Sequence, residues 1–551
     1  MSNRRQILKW GLVSGASAIL APKRASAQLC APDSGIPGIP QGTPFQPPSP
    51  KVTPFVAPLF VMPVLQPVRS LDPPPQPAAH QRYNEYPPKL FYEVNVQEVP
   101  WTYHPELPPS PGWGYGGILP GPTIKARYGE PIVVRMHNQL PANGVGAGLP
   151  QITTHLHNGH NASESDGYPE DYFGPGEFWD YHYALFPAGQ DPLQRMNTLW
   201  YHDHMDNFTA ANVYSGLSAF FLLFDDQDTD NENDPNPDAF RLPSGKYDVP
   251  LMLHDVLFDQ NGKAFFDAMN TDGILGDRFT VNRRIQPFFQ VERRKYRFRL
   301  LNGGPSRFYQ ISIGTDPVKP SQAIPYAVVT NDGNFCEEPL VTDNLMMGVA
   351  NRFDIIVDFS PFPAGTQLYL QNRLRQTDPR GPEIPLKTLN PGDSLMRFDV
   401  VEATGPDHSR IPSKLRAQPV IPLDKVKQRR TFAFDYLAGL WVINNQIFDM
   451  NVAAFTVKQG EPELWTIRNE GNIWSHPIHI HMEEFDTISF NGKVLTGDDA
   501  KFHRKDTINL FPNDEAVILI QFRDFMGNYV MHCHNVVHED HAMMLRFDVV
   551  P

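Results

Sequence analysis

The stretch PTIKARYGEPIVVRMHNQL, residues 122–140, decides the predicted fold, because two related stretches follow it: PFFQVERRKYRFRLLNGG from Pro287 and AAFTVKQGEPELWTIRNEG from Ala453. In each, an apolar strand and a charged turn precede alternating apolar residues that end in Asn138, Asn302 or Asn469. This pattern is typical of a half-buried pair of β-strands. Three copies about 165 residues apart predict three related β-domains.

Composition also favours an all-β protein. The 551 residues include 56 prolines and 39 glycines, which imply many turns and few long helices. A chain of this length predicts about three or four domains. Residues 28–80 are rich in proline and are predicted to form an extended surface arm or a disordered tether. The predicted domains and linker follow as 81–240, 241–402, 403–428 (the linker) and 429–551.

The first 27 residues are typical of a twin-arginine export signal. Arg4 and Arg5 precede an apolar run over 10–21, and Ala-Ser-Ala at 25–27 predicts cleavage before Gln28. A membrane anchor is the alternative, but 12 apolar residues are fewer than the roughly 20 that span a bilayer. We therefore expect a periplasmic or secreted protein with no membrane span in the mature chain.

The charge of the mature chain excludes one class of partner. Loss of the five basic leader residues changes the formal net charge from −14 to −19. Nucleic-acid binding requires clustered Lys and Arg, so we expect no nucleic-acid partner. The three cysteines, Cys30, Cys336 and Cys533, do not form a disulfide scaffold, although Cys30 and Cys336 are a candidate pair.

Four His-x-His pairs point to metal chemistry. Nineteen histidines in 551 positions give about 0.65 such pairs by chance. Residues i and i+2 of a strand project from one face, so each pair offers two adjacent imidazoles. Two pairs lie in the first repeat and two in the third, which predicts a multinuclear site shared between these domains. The pairs are His155/His157, His202/His204, His479/His481 and His532/His534.

Cys533 lies between two of these histidines and therefore faces the opposite side of its strand. With His476, His538 and Met543 it matches the two-histidine, one-thiolate set with a weak axial methionine that is typical of blue copper. Zinc is the alternative for a Cys and His site, but zinc gives no reason for an adjoining imidazole cluster. The first repeat has Asp203 where the third has Cys533, so we predict the mononuclear site in the third domain only.

After residue 80, nearly the whole chain resembles the multicopper oxidase family, which is built from cupredoxin β-barrel domains. The motifs HLHNG, SDGYPE, WYHDH with NVYSGL, HPIHIH and HCHxxxHEDxxMM are most similar to those of bacterial spore-coat laccases and bilirubin oxidases. The resemblance implies three cupredoxin-like β-barrel domains and four copper ions. It assigns His476, Cys533, His538 and Met543 to a type 1 copper, His155 and His479 to a type 2 copper, and His157, His202, His534 with His204, His481, His532 to a type 3 pair.

The same resemblance implies one-electron oxidation of a small reducing substrate, such as a phenol, a bilirubin-like compound or a metal ion, coupled to four-electron reduction of dioxygen to water. It places Asp166 and Glu539 at positions associated with proton supply, and Trp474 at the substrate edge of the type 1 site. Each of the three has a structural alternative, a hydrogen-bonded acid or simple packing. Asn158 departs from the family pattern, which usually has glycine there.

Three other functions are compatible with part of the sequence. A metallo-oxidase of Cu(I), Mn(II) or Fe(II) is the main alternative, supported by the negative charge and by Glu483 and Glu484, which we expect near the type 1 site. A copper-free cupredoxin-like scaffold protein is disfavoured because every ligand is present. A two-domain nitrite reductase does not need four His-x-His pairs.

Overall fold

The computed structural model describes residues 48–143 and 148–551 of the chain. Within these residues the structure consists of strands with two short α-helices, α1 (Thr209–Ser215) and α2 (Val536–Asp540). The all-β prediction is confirmed. The remaining helical segments are 3-10 turns at Pro77–Ala79, Ser163–Ser165, Ala188–Gln190, Pro192–Gln194, Gly245–Tyr247, Leu423–Lys425 and Asp499–Phe502.

Six sheets form three successive pairs, which we name units 1, 2 and 3. Unit 1 has sheets in the order β2-β1-β4-β6 and β3-β8-β7-β5. Its buried core lies between them. The strands of unit 1 are β1 Leu90–Trp101, β2 Ser110–Tyr115, β3 Ile124–Arg127, β4 Ile132–Asn138, β5 Thr154–His157, β6 Phe178–Tyr183, β7 Thr198–Asp203 and β8 Ser218–Phe224.

Unit 2 has sheets in the order β12-β11-β9-β14-β19-β16-β17, with β10 beside β9, and β13-β21-β20-β15-β18. A separate core lies between these sheets. The strands of unit 2 are β9 Asp248–Phe258, β10 Ala264–Phe265, β11 Arg278–Val281, β12 Arg284–Ile285, β13 Phe288–Glu292, β14 Lys295–Asn302, β15 Tyr309–Gly314, β16 Tyr326–Asn331, β17 Asn334–Thr342, β18 Leu345–Met347, β19 Arg352–Asp358, β20 Gln367–Leu374 and β21 Thr388–Val401.

Unit 3 has sheets in the order β23-β22-β25-β31-β27-β28, with β29 beside β27, and β24-β33-β32-β26-β30. Its core includes Cys533 and Met543. The strands of unit 3 are β22 Gln428–Leu437, β23 Leu440–Ile443, β24 Phe455–Lys458, β25 Pro462–Asn469, β26 His476–Ile480, β27 Phe485–Phe490, β28 Lys493–Val494, β29 Arg504–Lys505, β30 Thr507–Leu510, β31 Glu515–Gln521, β32 Gly527–Cys533 and β33 Met544–Val550.

The three repeated stretches form the same corner in each unit. Their two strands do not pair with each other; they join opposite sheets, because the short turn between them redirects the chain. The first strand pairs in parallel with the last strand of its unit, as β3 with β8, β13 with β21 and β24 with β33. The second pairs in parallel with the first strand, as β4 with β1, β14 with β9 and β25 with β22.

The asparagine that ends each repeat is buried and forms hydrogen bonds through both the oxygen and the nitrogen of its side chain. The side-chain oxygens of Asn138, Asn302 and Asn469 each accept a hydrogen bond from the backbone N–H two residues later, at 3.0 to 3.2 Å. Their amide groups donate to backbone carbonyls further along the chain. In unit 3 the acceptor is the carbonyl of Trp474, so this bond holds the segment that leads into β26.

Part of the proline-rich arm is ordered along the surface. The backbone N–H of Leu59 donates to Phe288 of unit 2, and those of Leu65 and Val68 donate to Thr123 and Phe91 of unit 1. The described part of the arm therefore runs as an extended segment from unit 2 to unit 1. The domain boundaries that we expect from the sequence, and the linker over 403–428, stay predictions.

Candidate metal centres

Four strands bring the histidine pairs to the interface between units 1 and 3. On unit 1, His155 of β5 lies opposite His202 of β7; on unit 3, His479 of β26 lies opposite His532 of β32. The pairs also meet across the interface, where the rings of His155 and His481 stack with centroids 3.8 Å apart and those of His157 and His479 at 3.7 Å. All eight imidazoles are buried, with at most 1% of each residue exposed.

The ring nitrogens converge in three groups, each close enough to share an ion. Their ligand atoms lie within 4.8 Å of one another. The Nε2 atom of His532 is 3.2 Å from that of His204 and from that of His481. The groups are His155, His157, His479; then His157, His202, His534; and last His204, His481, His532.

Three of these imidazoles are fixed by the same hydrogen-bond pattern. The Nδ1–H groups of His155, His202 and His479 donate to the backbone carbonyls of Asp166, Asp203 and Asp506, at 2.5, 2.8 and 2.9 Å. Because a carbonyl can only accept, each of these imidazoles carries its proton on Nδ1 and has a free lone pair on Nε2. These Nε2 atoms are buried and have no hydrogen-bond partner in the described part of the chain. A metal ion would satisfy them.

Burial keeps His202 and His204 neutral. Desolvation, reinforced by neighbouring histidines, lowers the pKa of His202 to about 3 and, with a smaller opposing effect of Glu539, that of His204 to about 4. Neutral imidazole is the form that binds a metal, so the cluster fits a metal rather than a set of charged side chains.

A separate group lies on the other face of β32. The Sγ atom of Cys533 is 3.4 Å from Nδ1 of His476 and 3.6 Å from Nδ1 of His538, and the two Nδ1 atoms are 3.3 Å apart. Burial raises the pKa of the Cys533 thiol, so in this apolar core a thiolate requires a bound cation. Met543 is fully buried in the same core.

The equivalent position in unit 1 has a different role. Asp203 ends β7 between His202 and His204, and its carboxylate accepts hydrogen bonds from the N–H of Thr153 and the side chain of Asn212 at 3.1 and 2.8 Å. It therefore ties together the interior of unit 1. Among the described residues, the only Cys-containing group with metal-ligand geometry is the one around Cys533.

Comparison with known proteins agrees with this geometry. The models of the multicopper oxidase family match residues 95–228 and 419–551, which contain the two pairs of unit 1 and the two pairs of unit 3. The bilirubin oxidase of Albifimbria verrucaria is 32% identical over 508 residues, which cover 91% of this chain and 82% of that protein.

The chain belongs to the multicopper oxidase family.

Further relatives support the same family and fold. A laccase of Bacillus stratosphericus is 30% identical over 532 residues, covering 86% of this chain and 98% of that protein. Among solved structures, a laccase from Pediococcus acidilactici aligns with a TM-score of 0.72 at 23% identity, over 92% of this chain and 95% of that chain. The three-domain, cupredoxin-like fold predicted from the sequence is confirmed. This multicopper oxidase is a copper-dependent oxidoreductase that uses dioxygen as its acceptor.

Two of the predicted acidic residues lie beside the imidazole cluster of the oxidase. Asp166 accepts a 2.7 Å hydrogen bond from Nδ1 of His481, and its Oδ1 lies 3.5 Å from Nδ1 of His155. Glu539 lies 2.9 Å from Nδ1 of His532 and 3.5 Å from Nδ1 of His204. Both carboxylates are therefore placed to orient histidines; their part in proton supply stays a prediction.

Trp474 lies half-buried near the Cys533 group, in a cluster of aromatic rings. Its ring centroid is 5.1 Å from that of Trp441 and 4.8 Å from that of Tyr436, and its indole N–H donates to the carboxylate of Asp272 at 3.3 Å. Trp441 stacks on His538 with centroids 3.7 Å apart. The sequence did not single out Trp441, because a tryptophan inside an apolar strand has the same pattern whether or not it meets a metal ligand.

Unit 2 contributes more to the site than the sequence indicates. At the Cys533 group, Nε2 of His538 donates to the backbone carbonyl of Asp272 at 3.0 Å. At the imidazole cluster, Arg352 forms an ion pair with Asp506 at 2.6 Å, and the Asp506 carboxylate lies 3.4 Å from Nε2 of His157. No local motif marks these residues, since each acts through contacts between units.

Glu483 and Glu484, which the sequence leads us to expect near the type 1 site, are engaged in ion pairs. Both carboxylates are buried, with 3% of each residue exposed, and are paired with arginines: Glu483 with Arg523 at 2.7 Å and Glu484 with Arg504 at 2.9 Å. They tie strands and units together and are not available to collect a metal-ion substrate. The sequence does not distinguish two adjacent glutamates that are free to bind a metal ion from two that form ion pairs with arginines.

Asn158 follows His157 in a left-handed backbone conformation, with φ of 66°. Asparagine tolerates this region better than most residues with a side chain, which explains how it replaces the glycine usual in the family. Its side chain donates to the carbonyl of Asp332 and to Glu484, both at 2.8 Å.

Some predictions concern residues outside the described ranges. The export signal over 1–27 and Cys30 lie there, so pairing of Cys30 with Cys336 stays a prediction. Cys336 itself is buried. In the described part of the chain, no helix is long and apolar enough to cross a bilayer.

Proposed function

We propose that this oxidase is laccase-like, holds four copper ions, and couples oxidation of aromatic donors to reduction of dioxygen to water. The observation that carries the proposal is the placement of Cys533, the last residue of β32, between His532 and His534. One face of this strand belongs to the Cys533 group and the other to the imidazole cluster. A single covalent segment thus joins an electron-entry site to an oxygen site.

The described side chains suit four ions. His476, Cys533 and His538 would hold type 1 copper, with Met543 as a candidate fourth ligand, and His155 with His479 would hold type 2 copper. His157, His202, His534 and His204, His481, His532 would hold the type 3 pair. Copper, when bound, supplies one-electron transfer at the type 1 position and four-electron reduction of dioxygen at the trinuclear position.

The protein orients these ligands and controls access to them. Asp166 and Glu539 hold the outward nitrogens of His481, His532 and His204, an arrangement that fixes ring orientation and raises ligand basicity. The same carboxylates are our candidates for holding protons needed in water formation. Burial of the cluster between units 1 and 3 excludes bulky reductants from the oxygen site.

We further propose phenols and similar aromatic compounds, bilirubin-like molecules included, as the donors. The half-buried rings of Trp474 and Tyr436 form an aromatic surface beside the type 1 position. The names of the related laccases and bilirubin oxidase support the same class. The sequence of residues 1–27 supports export by the twin-arginine translocase to the periplasm or medium.

Oxygen stoichiometry tests the proposed function. In an oxygen electrode the copper-loaded protein should consume one dioxygen for every four molecules of a one-electron phenolic donor, without accumulating hydrogen peroxide. Turnover should be faster with a bulky phenol than with Cu(I), Mn(II) or Fe(II). Peroxide as the main product, or turnover confined to metal ions, would refute the proposal.

A further inference from the structure

The ligands of the type 1 position are closed to direct contact with a donor. His476 and His538 each have 0% of their surface exposed. The outward nitrogen of His538, Nε2, faces the backbone carbonyl of Asp272 and the side-chain amide of Asn535, both at 3.0 Å. A donor at the surface therefore needs a route through the protein to reach these imidazoles.

Trp441 supplies a conjugated group along that route. Its indole lies over the ring of His538, with centroids 3.7 Å apart and an interplanar angle of 26°. Only 1% of Trp441 is exposed, and its N–H donates to the backbone carbonyl of Thr271 at 3.2 Å. This bond from unit 2 fixes the ring in its stacked orientation.

Two half-buried rings connect Trp441 to the surface. Tyr436 has its ring centroid 4.5 Å from that of Trp441, and Trp474 lies 5.1 Å from it and 4.8 Å from Tyr436. Among the described aromatic residues, the rings in contact with His538 are Trp441 and His476. Two other rings lie near His476, those of Trp441 and Phe434. The ring centroid of Phe434 is 6.4 Å from that of His476, and Phe434 is fully buried.

We propose that Trp441 is the relay between donors and the type 1 position, with Tyr436 and Trp474 as its outer partners. This proposal rests on the proposed function. In each event the donor would lose one electron and a copper ion held by His476, Cys533 and His538 would gain it, while a phenolic proton would be released to water. No bond of the protein forms or breaks, because the stacked rings act as a bridge.

The relay explains why the aromatic rim suits planar donors. A phenol stacked on Tyr436 or Trp474 is in van der Waals contact with a ring that is itself one contact from Trp441. Small inorganic reductants have the same path, so Trp441 should control entry for both kinds of donor. Trp474 alone is not sufficient, since no contact joins its ring to that of His538 within the described structure.

Anaerobic reduction of the blue absorption band tests the relay. The copper-loaded wild type, Trp441→Leu and Trp441→Phe are mixed with ferrocyanide without oxygen, and bleaching is followed by stopped flow. Copper content, the paramagnetic spectrum and the type 1 potential are measured for each, so that rates are compared at equal driving force. The matched control is Trp465→Leu, which removes a fully buried indole of unit 3 that contacts phenylalanine rings instead of the histidines.

We expect Trp441→Leu to bleach about tenfold more slowly, equivalent to about 1.4 kcal/mol in activation free energy. Trp441→Phe, which retains a stacked ring, should fall between it and the wild type, and Trp465→Leu should match the wild type. A retained blue band with unchanged bleaching in Trp441→Leu would overturn the relay.

If Trp441→Leu fails to fold, the double variant Tyr436→Leu/Trp474→Leu is measured instead. Slower bleaching in the double variant supports the relay, and bleaching at the wild-type rate overturns it. Failure of the proposed function is distinct, because it would appear in the wild type itself, as peroxide production or as turnover confined to metal ions, and not as a difference between variants.

Discussion

At the scale of single residues, the carboxylates beside the imidazoles decide how the ring nitrogens are used. Asp166 binds Nδ1 of His481, which commits the opposite nitrogen to the cluster. The sequence predicted the histidine cluster because His-x-His spacing follows from strand geometry. It did not predict Asp506 near His157 or Asp272 at His538, because these contacts join residues far apart in the chain.

Asp166→Ala should impair the oxygen site and spare the electron-entry site. Loss of the acceptor leaves Nδ1 of buried His481 without its partner, and such losses typically cost about 10–100-fold in metal affinity or activity. We expect reoxidation of the reduced enzyme by dioxygen to slow by this order while the blue band stays. The control Asp399→Ala removes a partly exposed carboxylate paired with Arg397 in unit 2. Equal reoxidation rates in the wild type and Asp166→Ala would contradict the orienting role.

Met543→Leu should raise the type 1 potential. A thioether donates weakly to the ion along the axis, and an apolar side chain removes that donation. The measurement is a redox titration of the blue band, with Met396→Leu in the core of unit 2 as control. A potential that is unchanged or lower in Met543→Leu would show that the axial assignment is wrong.

At the scale of strands, the repeated corner could be predicted as strand pattern but not as topology. Alternation located β4, β14 and β25, while the crossing of each corner between sheets depends on pairing with strands far away in the chain. The end of β5 is a similar case. The sequence shows that Asn158 departs from the family pattern. Its left-handed backbone conformation and its hydrogen bond to Glu484 are shown only by the three-dimensional structure.

Asn158→Ala should destabilise the end of β5. Alanine is strained at a φ of 66°, and the buried Glu484 loses a hydrogen-bond donor, which costs about 1–3 kcal/mol. Asn158→Gly avoids the backbone strain but still lacks the hydrogen-bond donor to Glu484. The thermal midpoint should therefore be highest in the wild type, lower in the Gly variant and lowest in the Ala variant. The control Asn513→Gly changes an exposed residue with the same φ and should stay near the wild type. A Gly variant as stable as the wild type would show that the bonds to Glu484 and Asp332 contribute nothing.

At the scale of the whole molecule, contacts between units hold the candidate metal centres together. Arg352 of unit 2 pairs with Asp506 of unit 3 and donates to the carbonyl of Thr198 in unit 1. The sequence indicated correctly that units 1 and 3 share the histidines. It placed none of the His-x-His pairs in unit 2, and a search for ligands cannot detect an arginine or a backbone carbonyl that orients a ligand.

Acid should weaken the contact between units 1 and 3 through Asp524. Burial opposes ionisation of this carboxyl and by itself raises its pKa. The hydrogen bond and charge of His160, the hydrogen bond from the N–H of Gly189 and the charge of Arg82 outweigh burial and lower the pKa to about 2. The folded pKa lies below the unfolded value of about 3.9, so its stabilisation is complete above about pH 4 and is lost as the pH falls toward 2.

Asp524→Asn should therefore be less stable than the wild type at neutral pH. The difference between their thermal midpoints should shrink between pH 4 and 2. Asp399→Asn, far from this interface, should show no such convergence. A difference that grows on acidification would contradict the assignment of the low pKa to Asp524.

We infer that Cys533 links a mononuclear blue copper site to a separate copper cluster. Metal analysis with visible and paramagnetic spectra should be compared between the wild type and Cys533→Ser. We expect four copper ions and a blue band in the wild type, and in Cys533→Ser loss of one ion and of the blue band with the type 2 signal retained. A blue band that survives in Cys533→Ser would show that Cys533 is not the thiolate ligand of the blue site.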